Sequence, residues 1–231
     1  MLEAFLETEL EEIPEDIRDD IEEKVKKRLN AIKLFLENPQ RIKVIADDIA
    51  THFKENIDGK FKAMVVAGSR KACELYRKEF YKHLPEEYVH TIITLGREEE
   101  PILQEAVAEA KAQYGKDIED IRKEIIEKYK EEEFPKILIV TDMLLTGFDA
   151  PILQVMYLDK PLKEHRLLQA VARTNRPYGD LKDAGVVIDY VGVLKEFKKA
   201  LEMYSEYDIK GALFSYDNIR KEFIFLIQEI L

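Results

Sequence analysis

Length and composition indicate a globular chain and exclude several kinds of site. The chain has 231 residues and a mass of 27.0 kDa, and its 46% of hydrophobic residues can fill a sizeable core. Cys73 is the only cysteine and the four histidines are scattered, which excludes an internal disulfide and a structural zinc site. The N-terminus is acidic, unlike a targeting peptide, and no apolar run reaches about 18 residues. We therefore expect a cytoplasmic protein without a membrane segment.

The negative charge is concentrated at the N-terminus. The net charge is −11, but residues 1–23 alone hold eleven acidic residues and one Arg. From position 24 onward the chain has 35 of its 36 basic and 36 of its 47 acidic residues. Because this larger part is nearly neutral, the bulk charge leaves a nucleic-acid partner open.

Residues 1–58 have the spacing of helices. Apolar residues recur three or four positions apart, as at Ile45 and Ile49. Breaks are expected near Pro14 and at Asn38-Pro39, since proline interrupts a helical pattern. This segment is therefore predicted to be a helical lead-in of about three helices.

Strands alternate with helices in a predicted domain over residues 59–200. Apolar, β-branched runs typical of strands occur in FKAMVVAGS, YVHTIITLG, KILIV, QVMYLD and AGVVIDYVG. The stretches RKACELYRKEFYKHL and KEHRLLQAVART have helical spacing, and Cys73 in the first is expected to be a buried small hydrophobe rather than a reactive thiol. This alternation predicts an α/β fold with a mostly parallel sheet covered by helices on both faces.

Two further segments are predicted to be helical. Residues 97–133 hold thirteen acidic and seven basic residues, which is typical of a solvated helical insertion, with an acidic binding surface as the alternative. Residues 201–231 return to helical spacing and stop at Leu231 in mid-pattern, without a capping residue. We therefore expect the chain to be part of a longer protein.

Polar residues follow the predicted strands at the point where each strand ends. Those that follow two of the runs are Ser69, Arg70, Thr141 and Asp142. The loop 144–151 adds Gly147 and Asp149. Because parallel α/β sheets bind ligands outside the carboxyl ends of their strands, this edge is the expected site.

The last predicted helix has long polar side chains on one face. Gln169, Arg173 and Arg176 have the spacing i, i+4, i+7, while apolar residues including Leu168 are expected to turn toward the core, and Pro177 ends the helix. Two guanidinium groups a turn apart can bind a triphosphate through bidentate hydrogen bonds. A solvated basic helix face is the alternative.

Two of these stretches resemble known motifs. VTDMLLTGFDAP and QAVARTNRP are similar, in order and in spacing, to motifs V and VI of superfamily 2 helicases and translocases. TGFDAP followed by LLQAVARTNRPYG and VVIDYVG resembles the motor subunit of type I restriction enzymes, the R subunit, and AMVVAGSRKACELY resembles its motif IV. The resemblance covers mainly residues 136–192 and, less closely, 60–83. It implies a RecA-like fold, that of the second motor domain in such a subunit.

The resemblance also implies roles for the nucleotide-facing residues. Arg173 and Arg176 would be arginine fingers that stabilise charge on the γ-phosphate during hydrolysis. Gln169 would couple the nucleotide to the neighbouring domain. Gly147 and Asp149 would approach the nucleotide, with Asp149 at the ribose.

A second group of residues is expected at DNA. By the same resemblance Ser69, Arg70, Thr141 and Asp142 would contact the phosphodiester backbone, as hydroxyls, amides and arginines do without reading sequence. From the residues alone, Asp142 can also cap the turn that follows it.

Half of an ATP site is missing from the sequence. It has no G-x-x-x-x-G-K-[ST] loop and no D-E-x-[DH] box after a strand. The resemblance implies that ATP and Mg²⁺ are shared with a first RecA-like domain, and that the nuclease domain lies elsewhere in the same subunit. Double-stranded DNA and the modification and specificity subunits would be the other partners. We expect no metal ligands in this chain and no ATP hydrolysis by it alone.

Two alternatives remain open at this point. One is a fragment of another superfamily 2 helicase or remodelling translocase, although Thr146, Ala172 and Asn175 depart from the broad superfamily pattern and weaken an RNA-helicase assignment. The other is a non-catalytic α/β interaction module that docks through its acidic helices. A phosphate-binding loop and a nuclease-like region upstream of this chain would favour the restriction motor over both.

Overall fold

The described part of the chain contains five strands, five α-helices with defined bounds, a short 3-10 helix (Glu86–Tyr88) and further helical residues at 29–36. The computed structural model describes residues 26–27, 29–95, 100–145, 147–162, 164–179, 182 and 184–192. The helices are α1 (Pro39–Asn56), α2 (Arg70–Phe80), α3 (Pro101–Tyr114), α4 (Ile118–Glu131) and α5 (Glu164–Thr174). The strands are β1 (Lys62–Ala67), β2 (Val89–Ile92), β3 (Ile137–Val140), β4 (Leu153–Asp159) and β5 (Val186–Asp189).

All five strands belong to one parallel sheet. Its order is β2-β3-β1-β4-β5, with every neighbouring pair parallel. Each of the five apolar runs in the sequence therefore forms a strand, and the expected α/β fold with a parallel sheet between helices is confirmed. This is the architecture expected of a RecA-like domain.

The central strand β1 separates two hydrophobic cores. Its side chains alternate between faces, as the two-residue period of a strand requires. Ala63, Val65 and Ala67 join a core with α1 and α2, whereas Met64 and Val66 join a core with α4 and α5. Every residue of β1 is buried, because helices cover both faces of the sheet.

Helix α1 begins where the sequence predicted a break. The Asn38 side chain accepts hydrogen bonds from the backbone N–H groups of Gln40 and Arg41, and Pro39 occupies the first turn, where a missing N–H costs nothing. The helix buries six apolar residues, which are Ile42, Ile45, Ala46, Ile49, Ala50 and Phe53. Part of the predicted lead-in is thus a covering layer of the sheet.

The charged segment is helical, as expected, but it is not simply solvated. Within it, α4 buries Ile121, Ile125 and Tyr129 in the second core, and the Tyr129 hydroxyl donates to the Ala63 carbonyl of β1 over 3.0 Å. Arg122 is buried as well, and the other charged residues of the helix are exposed or half-buried. The helix therefore helps to cover the second face of the sheet, and the expectation of a solvated insertion is wrong for α4.

The remaining expectations concern Cys73, the two ends of the chain and membrane segments. Cys73 is buried, and burial, followed by the charge of Glu74, raises the pKa of its thiol, which confirms an inert side chain. The predicted break near Pro14 and the C-terminal helices of 201–231 lie outside the described residues. Within the described residues, no helix combines the length and the apolar character needed to cross a bilayer.

Candidate functional site

The carboxyl ends of the central strands are level with one another. In the sheet register, Val66 of β1 pairs with Val140 of β3 on one side and with Leu158 of β4 on the other. The residues that follow these three strands therefore meet at one edge of the sheet. The strand-end residues that the sequence singled out, at 68–70, 141–145 and 147–149, lie along this carboxyl edge.

Both predicted arginine fingers contact the loop after β3. The Arg173 guanidinium donates to the backbone carbonyl of Phe148, and Arg176 Nη1 lies 3.4 Å from Asp149 Oδ2. The structure thus brings together Arg173, Arg176 and Asp149, three residues that the sequence assigned to a nucleotide. Since Arg176 and Asp149 are both exposed, their ion pair is weak and can open to another anion.

The loop that receives the arginines depends on one glycine conformation. Gly147 has a φ of 69°, in the left-handed region that glycine adopts at no steric cost. Its neighbours Leu145 and Phe148 are buried in the second core and hold the loop on the sheet. Leu144 has a φ of 68°, which is strained for a branched side chain and concentrates unusual backbone at this edge.

Helix α5 ends earlier and faces differently than the spacing predicted. Its last residue is Thr174, so Arg176 lies in the following loop instead of on the helix face. Leu168 is 41% exposed, while Leu167 and Ala170 are the buried residues, so the expectation that Leu168 faces the core is wrong. Gln169 is exposed, and nothing among the described contacts assigns it a partner within this chain.

A tight contact explains where α5 ends. A Cβ on Gly185 would lie 2.2 Å from the backbone carbonyl oxygen of Thr174, so only glycine fits there. The Gly185 N–H donates to the Asn175 side-chain oxygen at 3.3 Å. The chain that enters β5 therefore packs directly against the last turn of α5 and fixes the position of Arg176.

Asp142 is held by two cations. Arg166 Nη1 donates to Asp142 Oδ1 over 2.8 Å, and Lys160 Nζ donates to Asp142 Oδ2 over 2.5 Å. Both carboxylate oxygens thus bond side chains, in place of the backbone of the turn that a cap would bond. Thr141, beside it, is half-buried at the same edge.

Ser69 and Arg70 form the turn from β1 into α2. Ser69 is the N-cap of α2, and its hydroxyl oxygen accepts from the Ala72 N–H at 3.1 Å. Arg70 Nη1 donates to the Thr94 carbonyl, beyond the end of β2, over 3.1 Å. Both side chains are half-buried, so the structure places them at the expected edge.

A buried ion pair lies at Asp159, the residue directly before Lys160. Asp159, the last residue of β4, is fully buried and accepts from both terminal nitrogens of Arg41 and, at 2.7 Å, from the Tyr76 hydroxyl. Burial lowers the pKa of Arg41, but the hydrogen bond and charge of Asp159 outweigh it and raise the pKa. Burial, followed by the charge of Asp159, raises the pKa of Tyr76. The pair fastens α1 to the carboxyl edge.

Sequence reasoning missed Lys160, Arg166 and Arg41. Lys160 directly follows a strand, as Thr141 does, and Arg166 precedes Arg173 by two helical turns on the same side of α5, so both carried a signal in their spacing. Arg41 carried none, because its partner is 118 residues away. Among the described residues, no three His, Cys, Asp or Glu side chains cluster as metal ligands would.

Comparison with known proteins decides the family. The sequence profile described as type I restriction enzyme subunit R domain 3 matches residues 59–192, more than half of the chain. The chain belongs to this family. The matched range contains all nine residues singled out at the carboxyl edge, and the resemblance drawn from motifs V and VI is confirmed.

Curated relatives are R-subunit family proteins several times longer than this chain. The MjaVIIP endonuclease subunit of Methanocaldococcus jannaschii is 41% identical over 210 residues, which cover 87% of this chain and 19% of that protein. The HindI endonuclease subunit of Haemophilus influenzae is 35% identical over 191 residues, covering 77% and 17% respectively. The chain thus spans about one fifth of the length of these type I restriction enzyme subunits.

One solved structure aligns with part of this chain. A fragment of an HsdR subunit of a type I restriction enzyme from Vibrio vulnificus aligns with a TM-score of 0.48 and 21% identity, over 69% of this chain and 29% of that one.

Proposed function

We propose that this chain is the second motor domain of a type I restriction enzyme R subunit, acting in the cytoplasm. In the whole subunit it would close against a first RecA-like domain around ATP and Mg²⁺, and repeated closure would move double-stranded DNA past the enzyme before cleavage. The nuclease domain of the same subunit and the modification and specificity subunits would be its partners. The chain alone would not turn over ATP, because it lacks the phosphate-binding loop.

One observation carries the proposal. Arg173 and Arg176 both reach the loop that contains Gly147 and Asp149, at the ligand-binding edge of a parallel sheet. Arg173 is half-buried and fixed by a backbone carbonyl, which suits a group that must be oriented in advance. Arg176 is exposed and held by one long ion pair, which suits a group that exchanges Asp149 for a phosphate oxygen.

These side chains fit a nucleotide phosphate better than a metal ion. Guanidinium groups bind phosphate oxygens bidentately, and the pair supplies two within one loop and helix end. The nucleotide, when bound, supplies the phosphoryl group whose transfer to water drives the motor. Asp149 would accept a hydrogen bond from a ribose hydroxyl once Arg176 turns away. Gln169, exposed on α5, would contact the facing domain. We assign Mg²⁺ to none of the described residues, since they form no ligand cluster.

DNA would pass along the same edge. Ser69, Arg70, Thr141 and Asp142 lie at the ends of the neighbouring strands β1 and β3, on a partly exposed surface. A hydroxyl, a guanidinium and backbone amides bind phosphates irrespective of base sequence, as a translocating motor requires. Because the DNA-facing residues lie close to the nucleotide-facing ones, closure of the two domains around the nucleotide would also move the DNA contacts.

The test is DNA-stimulated ATP turnover by the full-length R subunit that contains this chain. Arg173→Ala and Arg176→Ala should each lower kcat by about 100-fold or more, near 3 kcal/mol in the barrier, because charge on the transferring phosphoryl group loses its stabilisation. Arg176→Lys should recover little, since lysine keeps the charge but loses the planar fork. Lys82→Ala, which removes an exposed ion pair beyond α2, is the matched control and should leave turnover unchanged.

The outcomes separate the motor from its rivals. Wild-type turnover that persists in both arginine variants would return these side chains to a solvated surface and contradict the proposed roles. Absence of any DNA-stimulated turnover in the wild-type subunit would favour a non-catalytic interaction module instead.

A further inference from the structure

Lys160, Arg166 and Asp142 form a charged cluster at the carboxyl edge, called here the Asp142 cluster. It contains two cations and one anion, so its net charge is +1. The side chains of Lys160, Arg166 and Asp142 are 17%, 33% and 28% exposed, so all three are held in place and still reach solvent. An exposed anion-binding surface requires this combination of fixed geometry and access.

The cluster spans three strands. Because β1 lies between β3 and β4, the bond from Lys160 to Asp142 passes over the end of β1, where Ser69 and Arg70 begin α2. Strands two positions apart in a sheet are roughly 10 Å apart, a gap that only a long side chain can bridge. The cluster therefore lies directly beside Ser69 and Arg70, which follow β1 and are predicted to contact the DNA backbone.

Charge and donor inventory divide the roles within the cluster. A carboxylate is negative and only accepts hydrogen bonds, so Asp142 repels a phosphate. An ammonium and a guanidinium are positive and only donate hydrogen bonds, so Lys160 and Arg166 attract a phosphate. The cations are therefore suited to contact a phosphate, and the carboxylate is suited to hold them.

We propose that Lys160 and Arg166 contact the phosphodiester backbone of DNA and that Asp142 is a positioning residue that orients them. The inference rests on the proposed motor function and refines it, since Asp142 acts on DNA through the two cations. Each cation neutralises one phosphate, and the contact is the same for any base sequence.

The experiment measures duplex DNA binding by the full-length R subunit, without nucleotide, between about 50 and 200 mM salt. Lys160→Gln and Arg166→Gln should each make the slope of log K against log salt shallower by about 0.9, and equally so for unrelated sequences. Lys160→Arg should keep the slope, because the charge stays. Lys82→Gln, at the opposite end of α2, should leave affinity and slope unchanged.

The positioning role of Asp142 has its own test. Asp142→Asn should change DNA affinity in the wild-type background and have no further effect once Lys160 and Arg166 are both Gln, because residues that act through each other are not additive. An equal effect in both backgrounds would overturn the positioning role. Thermal unfolding of every variant identifies any that lose affinity by unfolding, and the charge-preserving Lys160→Arg then carries the test.

Two results would overturn the inference without touching the motor proposal. One is an unchanged salt slope for Lys160→Gln and Arg166→Gln in a subunit whose turnover still depends on Arg173. The other is a raised KM for ATP with an unchanged slope, which would put the cluster at nucleotide phosphates. A shallower slope in a subunit whose turnover ignores Arg173 would support the DNA site while overturning the arginine-finger roles.

Discussion

Removing Arg41 should destabilise the fold far more than removing a surface charge. In Arg41→Ala, the fully buried Asp159 would lose two guanidinium bonds and keep only the Tyr76 hydroxyl. A buried charge left without its partner typically costs about 3 to 5 kcal/mol, a large fraction of the roughly 5 to 15 kcal/mol that stabilises a domain. The side chain of Arg41 is itself only 14% exposed, so solvent cannot take over its role.

The double variant separates the charge from the packing. Arg41→Met with Asp159→Asn keeps both shapes approximately, removes both charges and leaves an acceptor for Tyr76. It should recover most of the loss, since apolar replacement of a whole buried pair is often neutral. Lys82→Ala, which breaks an exposed pair with Glu79, should cost about 1 kcal/mol or less.

Urea unfolding of the 231-residue chain provides the measurement. The sequence has no Trp, so the helical circular dichroism signal is the natural probe. The shift in the urea midpoint at an unchanged slope gives the change in the free energy of unfolding between variant and wild type. A loss below about 1 kcal/mol for Arg41→Ala would refute the reasoning, because the pair would then behave like an exposed one.

Two other predictions concern pH and close packing. Burial, then the charges of Arg77 and Lys128, lowers the pKa of His90 from 6.5 to about 4, so the unfolded chain binds a proton that the native one does not. Stability should therefore fall as the pH drops from about 6.5 to 4, by on the order of 3 kcal/mol, and His90→Asn should flatten this dependence in unfolding curves; an equal fall in both would contradict it. Gly185→Ala should cost about 1 to 3 kcal/mol in urea, because its Cβ meets backbone, and more than Gly68→Ala, whose Cβ meets the movable side chain of Leu36. Equal losses would show that the backbone at Gly185 yields.

The sheet and its edge could be predicted because their signals are local. Five apolar runs became five strands, and Asn38-Pro39 started a helix, since capping and strand periodicity depend on neighbours in sequence. The arginines and the loop that contains Asp149 met because the carboxyl ends of parallel strands share an edge.

What escaped prediction depends on contacts between distant residues. Leu168 and Ala170 are both apolar, so the pattern alone could not say which one faces the sheet. The last residue of α5, Thr174, packs closely against Gly185, which directly precedes β5. The pairing of Lys160 with Asp142 could be predicted only from the strand order, which places β4 within reach of β3 across β1.

The packing of α1 sets a limit on how this domain can be exchanged between proteins. The family profile begins at residue 59, after α1 has ended, yet α1 supplies six buried side chains to the core and the cation that neutralises Asp159. A recombination or an expression boundary placed at residue 59 would carry the motifs but uncover the part of the first core that α1 covers beside α2, and it would leave the buried Asp159 carboxylate without its cation. The segment that folds as one domain therefore begins at or before Asn38. A shorter piece should be prone to aggregation through the apolar surface that α1 otherwise covers.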